Sequence, residues 1–233
     1  MGRDKDCLCS QLDAFLEGLL ERLDPPSAEV MRRSEAEIAA HWAAERHIGK
    51  GDIAPDFSLP DQNGTRVTLS EELTKGPVVL SFYRGGWSPF CALTLRAMDR
   101  IRDEVARQGA TIIMVSPQKQ SESIDTARRN FLHFPVLSDA DNAVARRYGV
   151  VLKLNAERRA LFERLGHDLS MINGSTAWEL PAPVTYVIAQ DGRVATAHLD
   201  PRTNRRMEPA SVLAALHELA PAPRRVIDPA PIQ

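Results

Sequence analysis

The spacing of apolar residues changes along the chain between a helical and a strand-like period, which predicts a mixed α/β protein. Residues 8–23 carry one apolar stripe at helical spacing, so we predict a helix there that ends at Asp24, before two prolines. Residues 28–47 predict a second helix with a weaker stripe. We interpret residues 1–50 as an N-terminal helical arm that covers the main domain or a neighbouring subunit.

A shift in composition marks the start of the main domain, residues 51–220. The continuous apolar runs at 78–83 and 111–115 are typical of strands buried in a parallel sheet. From Cys91 to Gly109 apolar residues recur every three or four positions, which predicts a helix between these two strands.

Turn signals predict hairpins at both ends of the main domain. Residues 61–64, Asp-Gln-Asn-Gly, separate one pair of short strands, and residues 190–192 separate another pair. A last amphipathic helix is predicted from Pro209, followed by a Pro-rich tail at 221–233. We interpret the charged stretch 157–164 as the solvated face of a helix. A βαβ unit followed by a hairpin and a final helix is the layout of the thioredoxin fold, with a central mixed sheet flanked by helices.

The composition narrows the function classes. Hydrophobic residues make up 43% of the 233 residues and charged residues 26%, as in an ordinary globular protein. A net charge of −2 favours neither nucleic acid nor an anionic membrane as a partner. The charged start has no apolar signal core, and three cysteines do not make a disulfide scaffold, so we expect a cytoplasmic protein.

Cys91 is the candidate reactive group. Gly85-Gly86 ends the 78–83 strand, and Pro89 suits a first helical turn, which places Cys91 in that turn. The free N–H groups there, together with the helix dipole, stabilise a thiolate over a thiol. Arg84 can add a positive charge, and Ser88 can direct a hydroxyl at the sulfur. The alternative is an inert buried cysteine that only packs.

The other candidate ligands and nucleophiles give weaker signals. Cys7-Leu8-Cys9 suggests metal binding or thiol exchange, but no further ligands stand at zinc-site spacing, and a loose N-terminal segment is the alternative. The six histidines are scattered, without the spacing of a metal site. We therefore expect no metal and no organic cofactor.

From Gly51 to about Leu219 the chain resembles the peroxiredoxins of the alkyl hydroperoxide reductase/thiol-specific antioxidant (AhpC/TSA) superfamily. The opening at 51–59, Gly-Asp-Ile-Ala-Pro-Asp-Phe-Ser-Leu, is similar to theirs. Their active-site register is matched by Phe82-Tyr83, then Ser88, then Cys91.

The resemblance implies roles for individual residues. Cys91 is the thiolate that attacks a peroxide O–O bond and becomes sulfenic acid. Ser88 is the hydroxyl that orients the peroxide, and Arg84 is the third catalytic candidate. The substrate pocket is expected to include three further residues, Tyr83, Trp87 and Pro89. Trp87 and Phe90 form an apolar wall or pack in the core, and for Phe90 we expect the core.

Three departures from the family pattern matter. Arg84 stands where the family usually has proline, and Pro183 where it usually has an arginine that polarises the departing oxygen. We expect Arg84 to replace that arginine, and regard Arg205 and Arg206 as poorer candidates that could form a surface pair. Ser88 replaces the first cysteine of a Cys-Pro-x-Cys motif found in some relatives, which excludes local disulfide exchange.

The resemblance also implies the partners. A peroxide is the substrate, and an external thiol of the thioredoxin, glutaredoxin or low-molecular-weight type resolves the sulfenic acid, because no cysteine follows Cys91. Cys7 or Cys9 is a less favoured resolving thiol. We expect a homodimer. The alternative function is a redox sensor or partner-binding protein of the same fold without turnover, which Pro183 supports.

Overall fold

The structure is a computed structural model and describes residues 7–219. Within these residues, nine strands form three sheets: β1 (Ser58–Pro60), β2 (Arg66–Thr68), β3 (Val78–Phe82), β4 (Thr111–Ser116), β5 (Val136–Ser138), β6 (Val151–Lys153), β7 (Glu179–Pro181), β8 (Thr185–Ile188) and β9 (Val194–His198).

In the described chain, ten α-helices surround the sheets: α1 (Leu8–Arg22), α2 (Pro25–Trp42), α3 (Leu69–Lys75), α4 (Pro89–Arg100), α5 (Arg102–Arg107), α6 (Gln120–Asn130), α7 (Ala143–Arg147), α8 (Ala156–Arg164), α9 (Leu169–Asn173) and α10 (Pro209–Leu219). A short 3-10 helix, Ala140–Asn142, precedes α7. In the described part of the chain, no helix is both long and apolar enough to cross a membrane.

The central sheet has five strands in the order β5-β4-β3-β8-β9. β3 pairs parallel with β4 and antiparallel with β8, so it lies in the middle of a mixed sheet. All five of its residues are buried. This is the thioredoxin-like arrangement that the order of elements predicted, and the end of its central strand leads directly to Cys91.

Alternate residues of β3 divide the interior into two cores. Leu80 and Phe82 contribute to the core on one face of the sheet. Val79 contributes to the other core, where Cys91 and Leu95 of α4 meet Val212 of α10. The period-2 alternation of a strand explains this division.

The described part of the N-terminal arm, residues 7–50, packs on the main domain near Cys91. Leu8 and Leu12 of α1 are buried against Phe90 and Ala97 of α4. α2 lies beside α8, where Arg158 forms an ion pair with Glu35. The apolar stripe of α1 that the sequence predicted therefore packs against α4 of the same chain.

The element predictions are confirmed in order and differ at several boundaries. α2 begins at Pro25, because proline is accepted in a first helical turn, and it ends at Trp42. The predicted 91–109 helix is broken at Ile101 into α4 and α5. The sequence analysis did not identify α3, or the small sheet of β6 and β7. The tail at 221–233 lies outside the described residues.

The interpretation of residues 157–164 as a solvated face is wrong for Arg158, which is only 2% exposed. Its guanidinium lies under the arm, donating to a Glu35 carboxylate oxygen at 2.7 Å. A charged residue is buried in this way only when it is paired, and the partner comes from more than a hundred residues away.

Candidate active site

The turn between β3 and α4 requires its two glycines. Gly85 has φ +146°, and a Cβ there would collide with the Trp87 indole. A Cβ on Gly86 would collide with the Thr126 side chain. The Gly86 N–H donates to Gln118 at 2.8 Å, which fixes the turn. The two glycines thus let the chain reverse in a space that side chains would fill.

Cys91 is the third residue of α4, and Pro89 is the first. Because the proline has no N–H, it leaves no unpaired donor at the helix start. The sulfur lies where the positive end of the helix dipole favours an anion. This is the position that the sequence predicted.

The cation at the sulfur is Arg206, from the 199–208 loop between β9 and α10. Arg206 and Cys91 attract each other, and the next residue, Met207, packs in the same core as Cys91. Arg206 Nη1 donates to the backbone carbonyls of Arg202 and Arg205 at 3.2 and 2.6 Å. Its Nη2 has no hydrogen-bond partner among the described residues. Burial lowers the pKa of the Arg206 guanidinium, and its interaction with Cys91 opposes that shift. Arg206 is 4% exposed, so its interpretation as half of a surface pair is wrong. Its neighbour Arg205 instead forms an ion pair with Asp13 of the arm at 2.6 Å.

Arg84 also lies near Cys91, but the hydrogen bonds of its side chain go to the 199–208 loop. Nη1 donates to the Thr203 hydroxyl at 2.7 Å, and Nη2 donates to the Pro201 carbonyl at 3.1 Å. Burial lowers the pKa of Arg84 to about 10, so it stays protonated at neutral pH. Arg84 therefore adds positive potential at the sulfur and anchors the loop that carries Arg206.

Ser88 is the N-cap residue of α4, and its side chain makes no capping hydrogen bond. The hydroxyl is therefore not committed to the helix. Ser88 and Pro89 line a cavity of about 160 Å³ together with Arg84 and Trp87. Phe90, next to Pro89, also lines it, and the rest of the lining comes from elements far away in sequence: Phe15, Leu19, Met31, Arg158, Phe162, Leu165, His167 and Thr203.

The three predicted pocket residues divide between the cavity and the core. Trp87 and Pro89 line the cavity, where the Trp87 ring packs edge-on against Phe162 at 5.4 Å. Tyr83 is buried beside Cys91 in the second core, and burial raises the pKa of its phenol. Phe90 has both roles, because it packs on α1 and its edge reaches the cavity.

Cys91 itself has no exposed surface. Val79, Tyr83 and Leu95 surround it in the second core. The cavity reaches Ser88 in the turn before it, while the sulfur is closed from solvent in this conformation. A solute can therefore reach the sulfur only after a local opening of the residues around it.

The two N-terminal cysteines are placed for structural roles. The Cys7 sulfur caps α1 by accepting the Ser10 N–H at 3.3 Å. Burial, followed by the nearby Glu208 carboxylate, raises the pKa of the Cys9 thiol to about 11. A thiol with that pKa is almost entirely protonated at neutral pH and attacks slowly. All three cysteines of the chain are free thiols.

The sequence analysis did not identify two residues of this site, Glu35 and Thr203. The Thr203 N–H donates to Glu35 Oε2 at 2.9 Å, and its hydroxyl donates to Glu35 Oε1 at 2.5 Å. Glu35 lies in a charged stretch of α2 with no local signal of burial. Only the packing of the arm against the 199–208 loop brings the two together.

Residues 50–197 match the model of the AhpC/TSA family. The peroxiredoxin Bcp of Escherichia coli K12 is 34% identical over 100 residues, which is 43% of this chain and 64% of that protein. A putative peroxiredoxin of Mycobacterium tuberculosis is 36% identical over 100 residues, 43% of this chain and 65% of that protein. The matched stretch spans less than two thirds of either relative.

Among solved structures, the peroxidoxin BcpB of Mycobacterium tuberculosis superposes with a TM-score of 0.59 at 27% identity. The superposition covers 74% of this chain and 99% of that one. Peroxiredoxin Q of Xanthomonas campestris, at 22% identity and a TM-score of 0.56, covers 71% of this chain and 92% of its own, which shows the shared fold.

Proposed function

The chain belongs to the AhpC/TSA family, and from that premise we propose that it is a thiol peroxidase acting through Cys91. One observation carries the proposal: the sulfur lies in the first turn of α4, and the buried Arg206 guanidinium exerts an electrostatic attraction on it. A helix start and an adjacent cation are the two features that make a cysteine nucleophilic. The relatives named as peroxiredoxins support the same chemistry.

In the proposed reaction, the Cys91 thiolate attacks the terminal oxygen of hydrogen peroxide or of a small organic hydroperoxide. A sulfur–oxygen bond forms as the O–O bond breaks, and the sulfur supplies the electron pair. The departing oxygen takes up a proton and leaves as water or an alcohol. Arg206 stabilises the negative charge on that oxygen, with Arg84 nearby, and the Ser88 hydroxyl orients the peroxide.

The Cys91 sulfenic acid is then reduced by an external thiol. The first thiol forms a mixed disulfide with Cys91 and releases water. A second thiol then attacks this mixed disulfide, which frees Cys91 and forms the disulfide of the reductant. A thioredoxin, a glutaredoxin or a low-molecular-weight thiol can fill this role. The raised pKa of Cys9 argues against this cysteine as an internal resolving thiol.

The assembly and compartment are part of the proposal. We place the protein in the cytoplasm, where its free thiols stay reduced. We expect a homodimer from the resemblance to other thiol enzymes of this fold. The apolar face of α1 does not support that expectation, because Leu8 and Leu12 are buried against α4 of the same chain.

The proposal is tested by treating the reduced protein with one equivalent of hydrogen peroxide and trapping sulfenic acid with dimedone. Mass spectrometry is expected to find the adduct on Cys91 in the wild type. In a Cys91→Ser variant that retains the fold, we expect no adduct at position 91 and no peroxide consumption. Turnover is then measured with dithiothreitol as the reductant.

The closed sulfur is the observation that favours the alternative, a redox sensor without turnover. Catalytic consumption of peroxide with added thiol supports the peroxidase. Oxidation of Cys91 once, without turnover, supports the sensor. If Cys91 gains no oxygen, both functions are wrong.

A further inference from the structure

The N-terminal arm forms hydrogen bonds with the 199–208 loop, which carries Arg206, at three separate points. The family model covers residues 50–197, so both the arm and this loop lie outside the matched stretch. The loop follows β9 and leads into α10 without regular secondary structure of its own. Its conformation therefore depends on what holds it from outside.

The first point is the carboxylate of Glu35 on α2. It accepts both the backbone N–H and the hydroxyl of Thr203, at 2.9 and 2.5 Å. The same hydroxyl accepts from Arg84 at 2.7 Å. Arg158 completes the cluster, since its Nη2 donates to Glu35 at 2.7 Å.

This cluster is buried and charged, which makes its geometry specific. Burial alone would raise the pKa of Glu35, but Arg158, Arg84 and the Thr203 hydroxyl outweigh burial and lower it. Glu35 is therefore ionised at neutral pH. Removing one member leaves buried charges unpaired, so the loop has one favourable position against α2.

The second and third points lie on α1. Asp13 accepts from the Asn204 side-chain amide and from Arg205 Nη1, both at 2.6 Å. Glu208 accepts the first-turn N–H groups of Leu8 at 3.1 Å and of Cys9 at 2.6 Å. The carboxylate thus lies at the positive end of the α1 dipole. Arg206 stands between these anchors, two residues from Glu208 and three from Thr203.

We propose that the arm is a working part of the active site: Glu35 and Asp13 are positioning residues that hold Arg206 at the Cys91 sulfur. The role rests on the proposed chemistry of Cys91, but the placement of the cation can be measured without peroxide. A displaced Arg206 stabilises the thiolate less, so Cys91 is expected to need a higher pH to react.

The test compares Thr203→Val, which keeps the shape and removes the hydroxyl, with Thr203→Ser, which keeps the hydroxyl. Glu35→Gln and Asp13→Asn weaken the hydrogen bonds that α2 and α1, respectively, make with the loop. Glu37→Gln, on the exposed face of the same helix, is the matched control. All variants are made in the full chain, and circular dichroism verifies their fold.

Two readouts are taken for each variant. The rate of alkylation of Cys91 by iodoacetamide is followed against pH by mass spectrometry, which separates Cys91 from Cys7 and Cys9. The rate of oxidation by hydrogen peroxide is measured at pH 7. We expect Thr203→Val, Glu35→Gln and Asp13→Asn to raise the midpoint of alkylation and to slow oxidation roughly 10- to 100-fold. Glu37→Gln should match the wild type, and Thr203→Ser should stay closer to the wild type than Thr203→Val in both readouts.

Folded variants with the wild-type midpoint and rate would overturn the inference, as would a Thr203→Ser variant no better than Thr203→Val. Should Glu35→Gln fail to fold, Asp13→Asn and the Thr203 pair still decide. If peroxide does not oxidise the wild type, but the midpoint of Cys91 alkylation still shifts in the variants as described, the proposed peroxidase is refuted. The positioning role is then still supported.

Discussion

At the scale of single residues, the site depends on which arginine reaches the sulfur. Both Arg84 and Arg206 are buried and both attract Cys91, but Arg206 has a side-chain nitrogen, Nη2, without a hydrogen-bond partner in the described part of the chain. The side-chain hydrogen bonds of Arg84 go to Thr203 and Pro201. We therefore expect Arg206, rather than Arg84, to take the role that the resemblance assigned to an arginine where Pro183 stands.

The first prediction concerns the effect of Arg206 on the oxidation of Cys91. We expect Arg206→Met to slow the oxidation of Cys91 about 100-fold, because one charged donor to the departing oxygen is removed. Arg206→Lys should retain part of the rate, since it keeps the charge but loses the planar fork. Stopped-flow measurement of peroxide consumption provides the rates.

Arg202→Met is the control for this experiment, because its side chain lies in the same loop and is half exposed. It should leave the rate within about twofold of the wild type, as expected for an exposed ion pair. Equal rates for Arg206→Met and the wild type would show that another group supplies the charge.

The second prediction concerns the pH dependence of stability. Burial lowers the pKa of His198 below its usual 6.5, helped by Arg206 and Arg202 and opposed by Asp200. The unfolded chain therefore binds this proton more readily than the folded chain. The stabilisation is complete above about pH 6.5 and is lost as the pH falls below that value.

Thermal unfolding between pH 5.5 and 7.5 measures this contribution. The melting temperature of the wild type should fall towards pH 5.5, and His198→Gln should show a smaller fall. His41→Gln removes an exposed histidine and should follow the wild type. An unchanged pH dependence in His198→Gln would contradict the assignment.

At the scale of elements, the β3–α4 turn and the α1–α4 contact determine the site together. The turn places Cys91 at the start of α4, and α1 covers the opposite side of that helix through Leu12 and Phe90. Phe15 stacks edge-on against Phe90 at 4.9 Å and also lines the cavity next to Ser88. A change in the packing of α1 on α4 is therefore expected to alter the cavity next to Ser88.

The third prediction follows from this contact. Leu12→Ala removes a fully buried side chain and should lower the free energy of unfolding by about 2–5 kcal/mol. Glu17→Ala, at an exposed position of the same helix, should change it by less than about 0.5 kcal/mol. Urea denaturation measures both, and equal stabilities would mean that α1 is not docked on α4.

At the scale of the whole molecule, the arm and the family domain both contribute to the surroundings of a closed sulfur. Arm residues line the cavity beside Ser88, and Glu35 reaches the cluster that includes Arg84. Cys91 is inaccessible in this arrangement. In the proposed reaction, both the peroxide and the external thiol therefore need a local opening to meet Cys91.

The fourth prediction concerns how the oxidised sulfur is resolved. A Cys7→Ser/Cys9→Ser double variant should keep the wild-type rate of turnover with dithiothreitol, because the Cys9 thiol is protonated and Cys7 caps α1. Non-reducing mass spectrometry of the peroxide-treated wild type should find no bridge to Cys91. A Cys91–Cys9 or Cys91–Cys7 disulfide would instead make the arm the resolving partner.

The sequence alone determined the fold class, the order of the main elements and the position of Cys91. These depend on local signals: the apolar run of β3, the Gly85-Gly86 break and Pro89 at the start of a helix. Each signal acts over a few residues, because backbone conformation and helix capping are decided by near neighbours. The small sheet of β6 and β7 was missed because its three-residue strands give no clear period.

Only the tertiary structure decided which groups surround the sulfur. Glu35, Thr203 and Arg206 come from segments up to 171 residues apart, and none has a local pattern that marks it as buried. Burial of a charge is stable only beside its partner, and the partner is chosen by how the arm packs against the 199–208 loop. The cation at Cys91 and the closing of the site are therefore properties of the folded chain.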